Sequence, residues 1–152
     1  LNFGNRHKGN EDRQRERWAA KGMLHLIIRC QREGELGFDL ADVLNALGPR
    51  VARSTWAIEG LNYVSHDETD IPVLHGGDGA RVLGTELLSS LPNLLQVIDG
   101  EFRAFEAGGE PWVILRAVDS SWWEVVSEDR AALSAIRDQF RNVDEQVRPV
   151  ED

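Results

Sequence analysis

Between Leu94 and Val126 short segments rich in apolar residues follow one another, and only two to five residues separate one segment from the next. Such spacing admits one kind of sheet. Parallel neighbours need a crossover of a dozen residues or more, usually a helix, whereas antiparallel neighbours join through tight turns. The stretch is therefore predicted to be an antiparallel meander of four strands. The first two are residues 94–98 and 101–106, joined at Asp99-Gly100, because Asp-Gly supplies the positive φ angles of a type I′ hairpin turn. In that register Val97 faces Phe102 and Leu95 faces Ala104 on one side, and Gln96 faces Arg103 on the other. Residues 112–118 and 121–126 form the other two strands, joined at Asp119-Ser120. Ser127 is expected to cap a helix over 128–141, with Leu133, Ile136, Phe140 and Val143 as its buried stripe.

The first half opens as β-α-β. Residues 23–30 (MLHLIIRC) read as a strand. Asp39 is placed to cap a helix in which Leu40, Val43, Leu44 and Leu47 recur at i, i+3, i+4, i+7, with Phe38 and Val43 at the staple positions and Gly48-Pro49 as the stop. Residues 54–64 follow as a strand, 81–83 as a short one, and Thr85 caps a brief helix before Pro92. The expected fold class is α+β: a β-α-β opening, an antiparallel four-strand meander, and a C-terminal helix packed on the sheet.

At 152 residues the chain is sized for a single domain, over 23–146, with a tail at 147–152. Residues 1–22 read as a basic arm, flexible or in part non-native; Asn10 would cap a helix there, with Trp18 its one large apolar residue. Charge is divided unevenly. Residues 1–32 carry +5 and the rest of the chain −14, for a total of −9. An acidic body argues against nucleic acid or an anionic membrane as its partner. No apolar run approaches a membrane span, and the polar first 22 residues lack the apolar centre of a secretory signal. With Cys30 as the sole cysteine, an internal disulfide is excluded. A cytoplasmic location is expected.

Catalytic signatures are sparse. His66, Asp67, Glu68, Asp70, His75 and Asp78 form the one dense polar cluster, a donor set that suits zinc, manganese or iron. The His66-Asp67 pair resembles the metal-binding dipeptide of HD-type phosphohydrolases. The resemblance covers those two residues, and that family carries its ligands on helices, whereas strand and glycine signals flank this segment. A metal-dependent hydrolase using His66, Asp67, Asp70 and His75 is thus the alternative; the favoured expectation is a solvated acidic loop with no bound metal and no cofactor. The run His75–Gly79 is glycine-rich but lacks the Lys-Ser/Thr of a phosphate-binding loop.

Trp122 and Trp123 are neighbours on a strand and must point to opposite faces. Glu124 shares a face with Trp122, so that face is expected to be wet and Trp122 to be an exposed anchor. A two-residue turn at 119–120 would set Arg116 opposite Trp123. In size, charge and class, and over residues 91–129, the chain is similar to small acidic bacterial proteins of the immunity-protein and antitoxin type. The resemblance implies a non-enzymatic, protein-binding domain that neutralises a basic partner. Trp122, Glu124, Asp119, Glu101 and Glu106 are the candidate contact residues. Self-association into a structural homo-oligomer is the remaining expectation.

Overall fold

The computed structural model describes residues 13, 22–29, 38–75, 80–140 and 143–145. Expectations placed on the arm, Cys30, residues 76–79 and the tail lie outside the described residues, apart from Arg13 and Gly22. In chain order the elements are β1 (Leu24–Arg29), α1 (Leu40–Leu47), α2 (Arg50–Arg53), β2 (Thr55–Ser65), β3 (Val82–Leu83), α3 (Gly84–Ser90), β4 (Leu94–Phe105), β5 (Val113–Val118), β6 (Trp122–Ser127), α4 (Arg130–Gln139) and β7 (Val143–Glu145). Short 3-10 turns occupy His66–Glu68, Pro72–His75 and Leu91–Asn93. Among the described residues seven strands form one sheet in the order β3-β2-β4-β5-β6-β1-β7, with every pairing antiparallel. The protein is α+β.

The helices bury their apolar stripes on one face of this sheet. Leu40, Val43, Leu44 and Leu47 of α1, Leu87 of α3, and Leu133 and Ile136 of α4 join Leu26, Ile28, Trp56, Phe102, Leu115, Trp123 and Val125 in a single core. Among the described residues no helix is long and apolar enough to cross a membrane. Two buried indoles find acceptors: Trp56 Nε1 donates to the Val51 carbonyl at 3.1 Å and Trp112 Nε1 to Ser54 Oγ at 2.8 Å. Phe38 packs on Phe140, ring centres 4.9 Å apart.

Four features of the expected fold are corrected. Asp99-Gly100 makes no hairpin: β4 runs unbroken for 12 residues along β2, so the meander has three strands. A type I′ turn needs positive φ at both central residues. Gly100 is nearly extended at 159° and Asp99 has no positive φ. Asp99 Oδ1 instead accepts the Asp119 N–H at 2.8 Å, bracing the β5–β6 turn. The long β4 is matched by a long β2, which bends where Gly60, at φ 61°, starts a register shift between Glu59 and Asn62. Only glycine takes that backbone cheaply, the usual signature of such a bulge.

The β-α-β opening is also not a unit of adjacent strands. β1 and β2 point the same way, but β4, β5 and β6 lie between them. Finally, the last helix starts after Asp129, whose Oδ1 accepts the Ala131 and Ala132 N–H groups, while Ser127 Oγ accepts the Asp129 N–H. It ends at Gln139, and Val143 belongs to β7. The brief helix before Pro92 starts at Gly84, with Thr85 inside it.

Asp39 forms the expected cap and does more. Asp42 Oδ2 accepts its N–H at 2.9 Å, completing a capping box. Its own carboxylate accepts the Val97 N–H at 3.2 Å, on a stretch of β4 that β5 does not reach. Burial pushes this carboxyl up to about 6 from 3.8, against the lowering effect of the Leu40 and Val97 amides. A native state that holds a proton the unfolded chain has released loses stability as pH rises through the interval, here from about 4 to 6. The loss should be about 2 kcal/mol after discounting for partial exposure. Asp39→Asn keeps a capping oxygen and should flatten this slope, which urea unfolding across the interval would measure. An unchanged slope would assign the pH dependence elsewhere.

Candidate functional site

The sheet face opposite the core carries a row of charges set by strand register. Ile27, Glu124, Arg116, Glu101 and Glu59 lie side by side across β1, β6, β5, β4 and β2. Arg116 Nη1 lies 3.5 Å from Glu124 Oε2, and His25 Nε2 lies 3.4 Å from Glu124 Oε1. Arg103 Nη2 donates to Glu101 Oε2 at 2.9 Å. The middle of this face is not wet, contrary to expectation: Glu124 is only 1% exposed, and Ile27, Ile114 and Val126 are buried with it.

The connection between β5 and β6 sets which residues meet in this row. Three residues, not two, separate the paired Val118 and Trp122, with Asp119 and Ser120 at φ 48° and 56°. That shifts the register by one, so Arg116 faces Glu124 and Ala117 faces Trp123. A slip of one residue exchanges every cross-strand partner. Trp123 packs in the core with Phe102, ring centres 6.1 Å apart. Trp122 is half-buried, and its Nε1 is buried without a hydrogen-bond partner among the described residues.

Of the five expected contact residues, Trp122, Glu124 and Glu101 share this face. Asp119 is exposed in the β5–β6 turn, and Glu106 lies beyond the end of β4, bonded to Arg50 Nε. Arg50 also donates to Asp129 Oδ2 at 2.6 Å and stacks over Trp112 at 4.1 Å, tying α2 to the start of α4. Three of the four expected acidic contacts thus already hold arginines, and Glu124 is withdrawn from solvent, so it is not a rim charge. Sequence spacing does not reveal Arg50 as a hub, since its partners are 56 and 79 residues away.

The proposed metal ligands do not converge. Asp70 Oδ1 meets His75 Nε2 at 2.8 Å, and Tyr63 Oη meets the same nitrogen at 2.8 Å. His66 and Asp67 do not complete a set: among the described residues no three His, Cys, Asp or Glu side chains group as metal ligands. The contacts hold the 66–75 segment against β2. Beside it lies an open groove of about 350 Å³ lined by Val73, Thr85, Glu86 and Ser89. Those side chains bring no nucleophile–base pair together.

The segment that runs from β2 to α3 is rich in acidic residues. Residues 57–90 contain six acidic residues and a single Arg or Lys, Arg81. The Arg81 guanidinium lies 3.6 Å over the Phe105 ring. Glu59, Asp67, Glu68 and Glu86 are exposed and make no ion pair among the described residues. Comparison with family models, curated proteins and solved structures finds no match to this chain.

Proposed function

We propose that the chain is a non-enzymatic, cytoplasmic protein-binding domain that holds a basic protein partner, in the manner of a bacterial immunity protein or antitoxin. The observation that carries this reading is that Glu59 on β2, Asp67 and Glu68 just after it, and Glu86 on α3 are all exposed and make no ion pair among the described residues. Elsewhere Asp144 and Glu145 are matched by Arg29 and Arg137, while Asp119, Glu128 and Asp138 are exposed with no ion pair among the described residues. An unbalanced surface of one sign raises the local concentration of oppositely charged partners and speeds their encounter, steeply so at low salt. The contact surface is thereby moved from Trp122 to the β2 end.

The test is the charge-reversed variant Glu59→Lys/Asp67→Lys/Glu68→Lys. A basic protein captured on the immobilised chain should associate at least ~10-fold more slowly with the variant at low salt, with little change in dissociation rate. Association indifferent to both charge reversal and salt would remove the proposal. Recovery of the chain itself as sole partner would replace it with self-association.

A further inference from the structure

Glu59 lies on, and Asp67 and Glu68 directly follow, an incompletely paired strand. β2 is 11 residues long, but β3 pairs only with its first two, Thr55 and Trp56. From residue 57 to 65 its outer side has no strand partner among the described residues. Backbone direction can be traced here. Ser54 O accepts the Gly84 N–H at 2.8 Å on the β3 side. Alternation along the strand then turns Trp56 and Ile58 the same way. Trp56 meets Val82, whereas Ile58 lies beyond the end of β3. Glu59, Gly60, Asn62 and Val64 are exposed along the same stretch, Val64 to 41%.

We infer that residues 57–65 of β2 take up an extended, basic segment of the partner as an added strand. This rests on the proposed function and locates its contact. An open edge offers backbone N–H and C=O groups in the pattern a strand completes, and main-chain hydrogen bonds supply affinity while neighbouring side chains supply selection. The same edge is guarded against promiscuous pairing by a charge, Glu59, and by the Gly60 bulge. Glu59, Asp67 and Glu68 decide the occupant. A second copy would bring its own Glu59, Asp67 and Glu68 to the same place, whereas a segment with lysines or arginines at alternate positions would meet these carboxylates while its backbone pairs with β2.

The experiment is a titration of the isotope-labelled full chain with a short alternating Lys-Thr peptide, and with its Glu-Thr counterpart, read by amide shifts and hydrogen exchange. The Lys-Thr peptide should bind and slow exchange within 57–65, the Ile58 amide by at least ~10-fold, and the Glu-Thr peptide should not. Glu59→Lys/Asp67→Lys/Glu68→Lys should weaken Lys-Thr binding by at least ~10-fold without perturbing the far strands β1 and β7. Lys-Thr binding with protection outside 57–65 overturns the edge and leaves the acidic-partner reading standing. Equal binding of both peptides overturns both, since charge then selects nothing. Binding of neither peptide overturns the edge, and the salt dependence of protein association then decides the acidic-partner reading alone. Protection of 57–65 with no peptide present, together with a doubled mass, assigns the edge to a second copy and overturns the inference.

Discussion

Gly84→Ala should lower stability by about 3 kcal/mol or more, because the space its methyl group needs is filled by backbone. Gly84 opens α3 and is buried. A Cβ placed there would stand 2.0 Å from the Val51 carbonyl oxygen, 2.9 Å from the Val51 carbonyl carbon and 3.0 Å from that of Ala52. No flexible side chain is available to yield. Relief requires α2 and α3 to separate, which would stretch the Gly84 N–H bond to Ser54 O and draw β3 away from β2. In a chain of this size the loss corresponds to a fall in Tm of about 10 °C. Gly108→Ala is the control. Gly108 has φ 77° with nothing within 4 Å of its Cβ position, so alanine there meets only backbone strain, about 1–2 kcal/mol. Urea unfolding of both variants separates the cases, and a Gly84→Ala cost no larger than that of Gly108→Ala would refute the steric account.

Close approach of that kind has no sequence signature, and it marks the boundary of what the sequence could disclose. Local patterns translated well. The Leu40/Val43/Leu44/Leu47 stripe, the Asp39 cap and the Gly48 stop depend on residues within one or two turns, and α1 occupies their span. The short spacing after Leu94 correctly demanded antiparallel neighbours. Failures came where a distant partner chose between local options. Asp99-Gly100 has the chemistry of a turn, but the Asp99 carboxylate is engaged by the Asp119 amide and β2 runs along the whole of β4. One extra residue in the β5–β6 connection exchanged the partners of Arg116. β1 settled beside β6 and not β2, and a hydrophobic pattern cannot specify which of several apolar strands it will join. The candidate site was legible only as composition. The acidic excess of residues 57–90 is visible in the chain, but whether those charges are spent on arginines is decided by folding: Glu101, Glu106 and Glu124 have partners, while Glu59, Asp67 and Glu68 have none among the described residues.

Glu124 supplies the second large effect. Its side chain is almost wholly removed from water between the His25 imidazole and the Arg116 guanidinium, on a face where Ile27, Ile114 and Val126 are also buried. A buried carboxylate is costly to desolvate, and the return comes from the Arg116 guanidinium. Truncating one member leaves the other charge buried with less compensation, a loss of about 3–5 kcal/mol. Glu124→Ala should fall in that range. Asp144→Ala, which removes the exposed partner of Arg29, should cost no more than about 1 kcal/mol, because exposed pairs gain little in water. Salt distinguishes them further: screening weakens the Arg29–Asp144 pair, whereas the cost of Glu124→Ala should be nearly independent of ionic strength. The double variant Glu124→Leu/Arg116→Met then tests the source of the effect. Replacing both charges by apolar groups removes the desolvation penalty along with the attraction, so it should be less damaging than Glu124→Ala alone. If Glu124→Ala costs no more than Asp144→Ala, the register that places Glu124 against Arg116 is wrong, and with it the assignment of this face as buried rather than partner-binding.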